Sequence, residues 1–284
     1  MDENLNIGGK TFKLVRIQRG GTTGVYRSND EYLRLGDTAK IKRDLEFHKK
    51  MESYKFPVAK LISEGEFKGQ YYFIESSLGE KHLGQVFLED MQKDGVVSQT
   101  HFELLLDVAG RFAKAQLGAR SENQDFKDFA DGIHLDILCG ELPEYRDAIL
   151  NNFEGVKKRL NIFPFVITHG DFNPNNLYPA GAIDLADSFY GPFGFDILTA
   201  IVHADYFPRA EDYEYIVHYA FTPEQKAEYL KQTDAISVEA GLPPLSSFKS
   251  DFEFCRGSWS LVRMHKWPKL QKWRYDLFIK KFLT

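Results

Sequence analysis

Apolar and polar positions alternate in the first part of the chain and then change period. From Thr11 to Ile17, Phe12, Leu14 and Ile17 alternate imperfectly with basic residues, a strand-like pattern. Val25–Arg27 and Tyr32–Leu35 predict two further strands, joined by a turn at Ser28, Asn29 and Asp30. Residues 38–54 shift to a helical period, with Ile41, Leu45, His48 and Met51 or Glu52 on one face. The run Tyr71–Ile74 leads into Glu75, Ser76, Ser77, Leu78 and Gly79, where the composition turns from strand-like to turn-like. Thereafter helices dominate. Residues 101–118 place Leu104, Leu105, Val108, Phe112 and Ala115 on one face, and helical patterning returns around 145–160 after a less regular stretch at 121–141. The short run Phe165–Ile167 predicts a buried segment, and three helical segments follow the polar stretch behind it. No internal repeat or low-complexity segment interrupts this order.

Length and charge narrow the classes. A chain of 284 residues with 43% hydrophobic content has room for about two domains and a sizeable core. No run of about 18 apolar residues occurs, and the polar, acidic start MDENLNIGGK has no apolar signal core, so a cytoplasmic protein is expected. Cys139 and Cys255 are too few for a disulfide framework or a zinc site, and read as reduced, buried thiols, with a single bridge as the alternative. A net charge of −5 gives no broad footprint for nucleic acid. The local exception is Arg263, Lys266, Lys269, Lys272, Arg274, Lys280 and Lys281; since Leu270, Trp273 and Leu277 recur at helical spacing among them, a docked helix with a solvated basic face is expected.

Candidate chemistry concentrates between residues 167 and 196. His169, Gly170, Asp171, Phe172, Asn173, Pro174, Asn175 and Asn176 leave the apolar run abruptly, and Pro179, Ala180 and Gly181 separate them from a second apolar run, Ala182–Leu185, that contains Asp184. This arrangement predicts a tight hairpin in which 176–178 pair with 182–184, setting Asn176 opposite Asp184. An amide oxygen and a carboxylate suit a hard cation such as magnesium, which keeps several waters and binds through one or two protein oxygens plus substrate phosphates. Asp171, five residues before Asn176, is placed to accept a proton from a hydroxyl.

The pattern His-x-Asp-x-x-x-x-Asn, followed by an Asp on the next hairpin, resembles the catalytic loop and metal-binding Asp of kinases. With Gly170 in the middle position, Ile183-Asp184-Leu185 behind it, and Gly191, Pro192 and Asp196-Ile197 after that, the chain is similar to the aminoglycoside phosphotransferase and choline kinase superfamily. The resemblance implies an α+β, two-lobed protein-kinase-like fold: an antiparallel-sheet lobe over residues 1–76 and a mainly helical lobe over 77–284. It implies phosphoryl transfer from ATP or GTP with Mg2+, Asp171 as the base, and Asn176 and Asp184 as metal ligands. Asp196 and His169 are implied to be structural.

In such a fold the loop Gln18–Gly24, QRGGTTG, would cradle phosphates with backbone N–H groups at Gly21 and the hydroxyls of Thr22 and Thr23, although any hairpin loop uses such residues. The strand lysine that pairs with phosphates and a helix glutamate is replaced by Arg34. Guanidinium binds both groups bidentately, and Asp44, with Glu46 as the alternative, matches its helix partner. Ile74 would line the back of the nucleotide pocket, while the Glu75 carbonyl and Ser77 N–H would contact the base. Eleven residues between Asp184 and Asp196 leave no room for a long activation segment, which favours small-molecule acceptors. Asp205, Glu211, Asp212 and Glu214 among Tyr206, Phe207, Tyr213 and Tyr215 could suit an amine-bearing acceptor, but a solvated helix with a packed face accounts for them better. The expected activity is thus a kinase acting on an amino sugar, aminoglycoside, amino alcohol or sugar. The Arg34 and Asp44 departures leave a second reading, a nucleotide-binding pseudokinase acting as a regulatory or scaffold module.

Overall fold

The computed structural model describes residues 2–18, 21–122, 125–263 and 267–284. Arg19 and Gly20 of the glycine-rich loop, Asn123 and Gln124 of the irregular stretch, and Lys266 of the basic tail lie outside the described residues. The first part is a six-stranded antiparallel sheet built from β1 (Asn4–Ile7), β2 (Lys10–Ile17), β3 (Thr23–Ser28), β4 (Glu31–Gly36), β5 (Leu61–Phe67) and β6 (Gln70–Ser76), in the order β1-β2-β3-β4-β6-β5. Two of these strands escaped the alternation pattern for different reasons. β1 alternates but over only four residues, and the edge strand β5 buries none of its seven, so neither stands out from the sequence.

Helix α1 (Thr38–Ser53) interrupts the sheet sequence between β4 and β5. The Asp37 carboxylate caps it by accepting from the Lys40 N–H at 3.0 Å, and Ile41 and Leu45 pack against Phe73 on one face of the sheet. The opposite face carries a separate cluster of Leu5, Ile7, Phe12, Tyr26, Leu33, Leu35 and Ile74. Because side chains alternate along a strand, Arg34, Phe73 and Glu75 share the α1 side while Leu33, Leu35 and Ile74 share the other.

The remainder is mainly helical: α2 (Leu83–Asp94), α3 (Gln99–Gly118), α4 (Phe126–Gly132), α5 (Leu135–Glu141) and α6 (Arg146–Leu160) lead to β7 (Phe165–Thr168). The irregular stretch therefore holds two seven-residue helices, each too short for a helical period to register. β8 (Leu177–Tyr178) and β9 (Gly181–Ala182) form the expected hairpin, and β10 (Phe189–Pro192) returns to pair with β7. Among the described residues four helices follow where three were expected: α7 (Phe195–Val202), α8 (Pro223–Glu239), α9 (Lys249–Leu261) and α10 (Pro268–Phe282). α7 is buried along its whole length, and one continuous apolar cluster joins it to α3, α9 and α10. Both cysteines are free and buried, and none of the described helices is long and apolar enough to cross a membrane.

The α10 expectation needs correction. The fully buried face is Leu270, Gln271, Arg274 and Phe278, so the buried stripe falls one position away from Trp273 and Leu277, which are half-buried. Arg274 is 0% exposed and does not belong to a solvated basic face.

The hairpin also ties the two parts of the molecule together. The Ala182 N–H donates to the Pro57 carbonyl at 2.7 Å, and a Cβ at Gly181 would stand 2.2 Å from that same carbonyl oxygen. Glycine is required here for close approach rather than for an unusual φ. Gly181→Ala is expected to force the hairpin off the Pro57 segment and to lower stability by roughly 1–3 kcal/mol, the usual cost of overpacking. An unchanged midpoint in urea unfolding would contradict so tight a contact.

Candidate active site

β7 delivers the polar stretch into a loop that is anchored from behind. The Asp196 carboxylate, fully buried at the start of α7, accepts from the backbone N–H groups of His169 at 2.7 Å and Gly170 at 3.0 Å, and from the Gln116 amide at 2.8 Å. The His169 ring accepts from the Asp171 N–H at 3.2 Å through Nδ1, so that Nε2–H donates to the Ile183 carbonyl at 2.8 Å. Gly170 has φ +80°, and a Cβ there would meet the Asp187 carbonyl oxygen at 2.0 Å. Both the backbone conformation and the lack of space therefore demand glycine in the His-Gly-Asp sequence. Phe172 packs on Phe112 with centroids 4.4 Å apart, which pins the far side of the loop.

Asp171, Asn176 and Asp184 line one cavity of about 490 Å³. Asn176 donates from Nδ2 to the Asp171 carbonyl at 2.9 Å and to its carboxylate at 3.2 Å, which fixes the amide and leaves Oδ1 as its acceptor. The hairpin register differs by one residue from the expectation. Leu177 pairs with Ala182 and Tyr178 with Gly181, and the Ile183 N–H donates to the Asn176 carbonyl, so Asn176 stands opposite Ile183 rather than Asp184. A left-handed turn at Asp184, φ +66°, then starts a new direction for the chain. Such a conformation is uncommon for a residue with a side chain and is tolerated where surrounding structure holds it.

A carboxylate and an amide oxygen on one cavity wall fit a hard divalent cation completed by phosphate oxygens and water. No group of three or more His, Cys, Asp or Glu converges among the described residues. The residues thus match a site shared with phosphate rather than a protein-only cage.

Arg34 is 3% exposed and makes two ion pairs: Nε with Glu75 at 3.1 Å and Nη1 with Asp184 at 2.7 Å. Burial works against its charge, but Glu75 and Asp184 more than reverse this and hold the guanidinium firmly protonated. Asp184 also takes Arg16 at 2.7 Å and Gln18 at 3.1 Å. Burial raises its pKa, Arg34 and Arg16 lower it, and the balance is about 2.

The expected Arg34–Asp44 pair is not made. Asp44 is buried on α1 with Oδ2 lacking any hydrogen-bond partner, and burial raises its pKa to about 6 despite the Coulomb pull of Arg34 and Lys40. The alternative, Glu46, is exposed and pairs with Lys50 on its own helix at 2.8 Å. Sequence reading missed the side chain of Glu75, having assigned that residue a backbone role. A lone acid in an otherwise apolar strand run was the available signal.

The remaining nucleotide-side expectations fare unevenly. Gly21, Thr22 and Thr23 do not line the cavity, whereas Arg16, Ile17 and Gln18, from the strand entering the same turn, do. Thr23 is buried with its hydroxyl lacking a partner. Ile74 belongs to the cluster on the face opposite Arg34, so it does not line a pocket shared with that residue. The Ser77 N–H, expected to meet a base, donates to the Asp30 carbonyl at 2.7 Å.

Behind Asp171 stands a residue with no sequence signal, Arg256 on α9. Its Nη2 donates to the Asp171 carboxylate at 2.9 Å and its Nη1 to the Gly170 carbonyl at 3.1 Å. Burial opposes ionisation of Asp171, but Arg256, helped by His203 and Arg263, holds its pKa far below the usual carboxylate range. The Arg256 Nη2 also lies 3.2 Å from His203 Nδ1. Burial, with Arg256 and Arg274 adding to it against the pull of Asp171, lowers the His203 pKa to about 3.

Three of the four acids weighed for an amine-bearing acceptor are engaged elsewhere, and the chain there is not a regular helix. After a short turn at His203–Tyr206 it runs irregularly to Thr222. Asp205 pairs with Lys226 at 2.8 Å, and Asp212 pairs with Lys269. Glu214 caps α10 by accepting from the N–H groups of Lys269 and Leu270 at 3.0 Å each. Of that segment, Tyr206, Phe207 and Tyr215 line the cavity, and none of its acids does.

Residues 17–230 match the model of the phosphotransferase enzyme family. Among solved structures, a choline/ethanolamine kinase family protein from Mesorhizobium loti is similar at 13% identity and TM-score 0.53, covering 98% of this chain and 90% of the other. An aminoglycoside phosphotransferase from Streptomyces rimosus aligns at 12% identity and TM-score 0.52, with 89% and 92% covered, and is also known in complex with ADP and streptomycin. An ethanolamine kinase of Plasmodium vivax shows 16% identity and TM-score 0.50, with 95% and 83% covered. At these identities the likeness establishes the fold, a protein-kinase-like arrangement of sheet and helical parts. No curated protein matches the sequence.

Two measurements test this geometry. Glu75→Gln breaks a buried pair and should cost about 3–5 kcal/mol in denaturant unfolding, while Asp44→Asn, which removes an unsatisfied buried carboxylate, should be neutral or stabilising. The reverse ranking would restore Asp44 as the partner of Arg34. His203 has a folded pKa of about 3 against an unfolded value of ~6.5. The unfolded chain therefore binds the extra proton between these two values, and stability is lost as pH is lowered through that window, by up to about 1.4 kcal/mol per unit. His203→Gln should flatten the melting temperature between pH 6.5 and 4 relative to the parent; parallel curves would show that His203 is not held neutral.

Proposed function

Because the chain belongs to the phosphotransferase enzyme family, we propose that it transfers the γ-phosphoryl group of magnesium-bound ATP or GTP to a hydroxyl of a small molecule. The observation that carries this reading is the meeting of Asp171, Asn176 and Asp184 in one cavity, with Arg34 on Asp184 at 2.7 Å. In this reading the sheet lobe ends at Ser76, and the base lies against the sheet face that carries Arg34 rather than against Ile74.

Asp171 accepts a hydrogen bond from the acceptor hydroxyl and aims its oxygen at phosphorus. Its low pKa makes it a weak base, which suits a loose transition state in which the proton leaves late and positioning matters more than basicity. Arg256 holds Asp171 ionised and fixes its rotamer, while Asn176 clamps the other carboxylate oxygen. Arg34, secured by Glu75, is placed to hold nucleotide phosphates. A magnesium ion held by Asp184 and the Asn176 amide oxygen would offset charge on the transferred group. Asp196 keeps the loop in register from behind without touching the reactants.

The nucleotide-binding pseudokinase reading drew on the Arg34 and Asp44 departures; Glu75 gives Arg34 the carboxylate partner that Asp44 does not, which weighs against it.

Asp171→Asn should lower kcat for acceptor phosphorylation by about 10²–10⁴-fold, the range for loss of a general base, with nucleotide affinity little changed. Asp184→Ala should abolish magnesium-dependent ADP release while the fold persists. Measurement of ADP release with MgATP and MgGTP checks both, and normal turnover in either variant would refute the assignment.

A further inference from the structure

Asp184 is met by three donors from the sheet lobe. Arg34 Nη1 donates to Oδ1 at 2.7 Å and Gln18 Nε2 to the same oxygen at 3.1 Å, while Arg16 Nη2 donates to Oδ2 at 2.7 Å. The two arginines are held differently. The Arg34 side chain is 4% exposed and has Glu75 behind it, whereas the Arg16 side chain is 50% exposed. A buried pair is costly to break, and a solvated one exchanges readily.

Arg16 owes its place to an irregularity in the ladder. β2 and β3 pair Leu14 with Tyr26 and Arg16 with Val25, so Val15 is an extra residue in β2. On the next strand Tyr26 stands opposite Leu33, and Val25 opposite Arg34. Directly opposed residues share a face of a sheet. Leu14 therefore lies on the Leu33 side, where it packs against the apolar cluster, and Arg16 lies on the Arg34 side. In an unbroken ladder Val15 would meet Val25 and Arg16 would meet Gly24, which turns the arginine to the far face. A bulge re-aims the side chain that follows it, and this one delivers a cation onto the carboxylate that the kinase reading gives to magnesium.

Arg16 and Gln18 line the cavity together with Lys40 from the first turn of α1, and Lys40 Nζ donates to Gln18 Oε1 at 3.4 Å. Side-chain cations thus border the part of the cavity next to Asp184. A carboxylate oxygen that accepts from a guanidinium already has a positive charge on it, and a second cation on that oxygen meets like charge at short range. Oδ2 is gained by a divalent ion only as Arg16 gives it up.

Resting on the kinase reading above, we propose that Arg16 is an exchangeable counterion for Asp184: it holds Oδ2 against a bare divalent cation and turns from Asp184 to a nucleotide phosphate when cation and nucleotide arrive together. The guanidinium fork suits phosphate as well as carboxylate, and a half-exposed side chain is free to make the turn. Asp184 keeps a positive neighbour throughout, first Arg16 and then the cation. Metal and nucleotide are thereby coupled, each tightening the other by the same factor. Arg16 is a positioning residue in this scheme and takes no part in moving the proton or the phosphoryl group.

The test is titration of the full chain with MgCl2, followed by melting temperature, and with MnCl2, followed by the paramagnetic resonance of the free ion, each with and without a non-hydrolysable ATP analogue. Without nucleotide, Arg16→Gln should bind either ion roughly tenfold or more tightly than the parent. With the analogue present that advantage should vanish, so the factor by which nucleotide tightens the metal falls by roughly tenfold. The analogue together with its metal should bind Arg16→Gln more weakly than the parent, because a phosphate contact is lost. Lys13→Gln removes the same charge from another exposed position of β2 and should leave all of these affinities unchanged. Equal affinity of parent and Arg16→Gln for the bare ions, a coupling factor unmoved by the substitution, or the same gain in Lys13→Gln overturns the proposal. The kinase reading fails separately, through absence of ADP release with MgATP and MgGTP, whatever the bare-ion affinities are.

Discussion

Two buried guanidinium groups held by carboxylates organise this molecule. Arg34 joins Glu75 to Asp184, and Arg256 joins α9 to Asp171. Leaving any of these charges without its partner inside the protein would cost several kcal/mol, so the pairs specify where the sheet sits over the β8–β9 hairpin and where α9 sits behind the loop. Hydrophobic contact supplies the bulk of the cohesion but is not directional. The ion pairs add direction at the places where chemistry needs it.

The local patterning of the chain anticipated these elements to the extent that each was long or chemically unusual. α1 and α3 were legible because sixteen and twenty residues sustain a helical period, and the hairpin because Pro179 and Gly181 punctuate two apolar runs. Its register was misjudged by one residue, since nothing in the sequence announces the left-handed turn at Asp184. The seven-residue helices α4 and α5 and the edge strand β5 were invisible for lack of length or of buried positions.

Side-chain partners across the fold were legible only where a motif carried them. The polar positions 169–176 and 184 announced themselves by spacing. Arg256 and Glu75 could not, because each is one charged residue in an ordinary-looking helix or strand, meeting its partner from 85 and 41 positions away. The acidic residues at 205–214 are the opposite case. Their composition suggested a site, but Lys226, Lys269 and the start of α10 had already claimed three of them.

The relocation of the arginine's partner from helix to strand changes how the site is supported. Protein kinases draw this carboxylate from the helix after the third strand, so a shift of that helix breaks the pair and turns catalysis off. Here Glu75 stands across from Tyr32, one diagonal step from Arg34 on the neighbouring strand, a spacing that long side chains bridge. Both backbones belong to one hydrogen-bonded ladder, so movement of α1 leaves the pair intact. Among the described residues the helix reaches Glu75 through His48, whose Nδ1 lies 3.6 Å from the carboxylate, and it carries Asp44 without a hydrogen bond at Oδ2. In the proposed reading Arg34 is thus held in place whatever α1 does, the reverse of the helix-controlled pair of protein kinases.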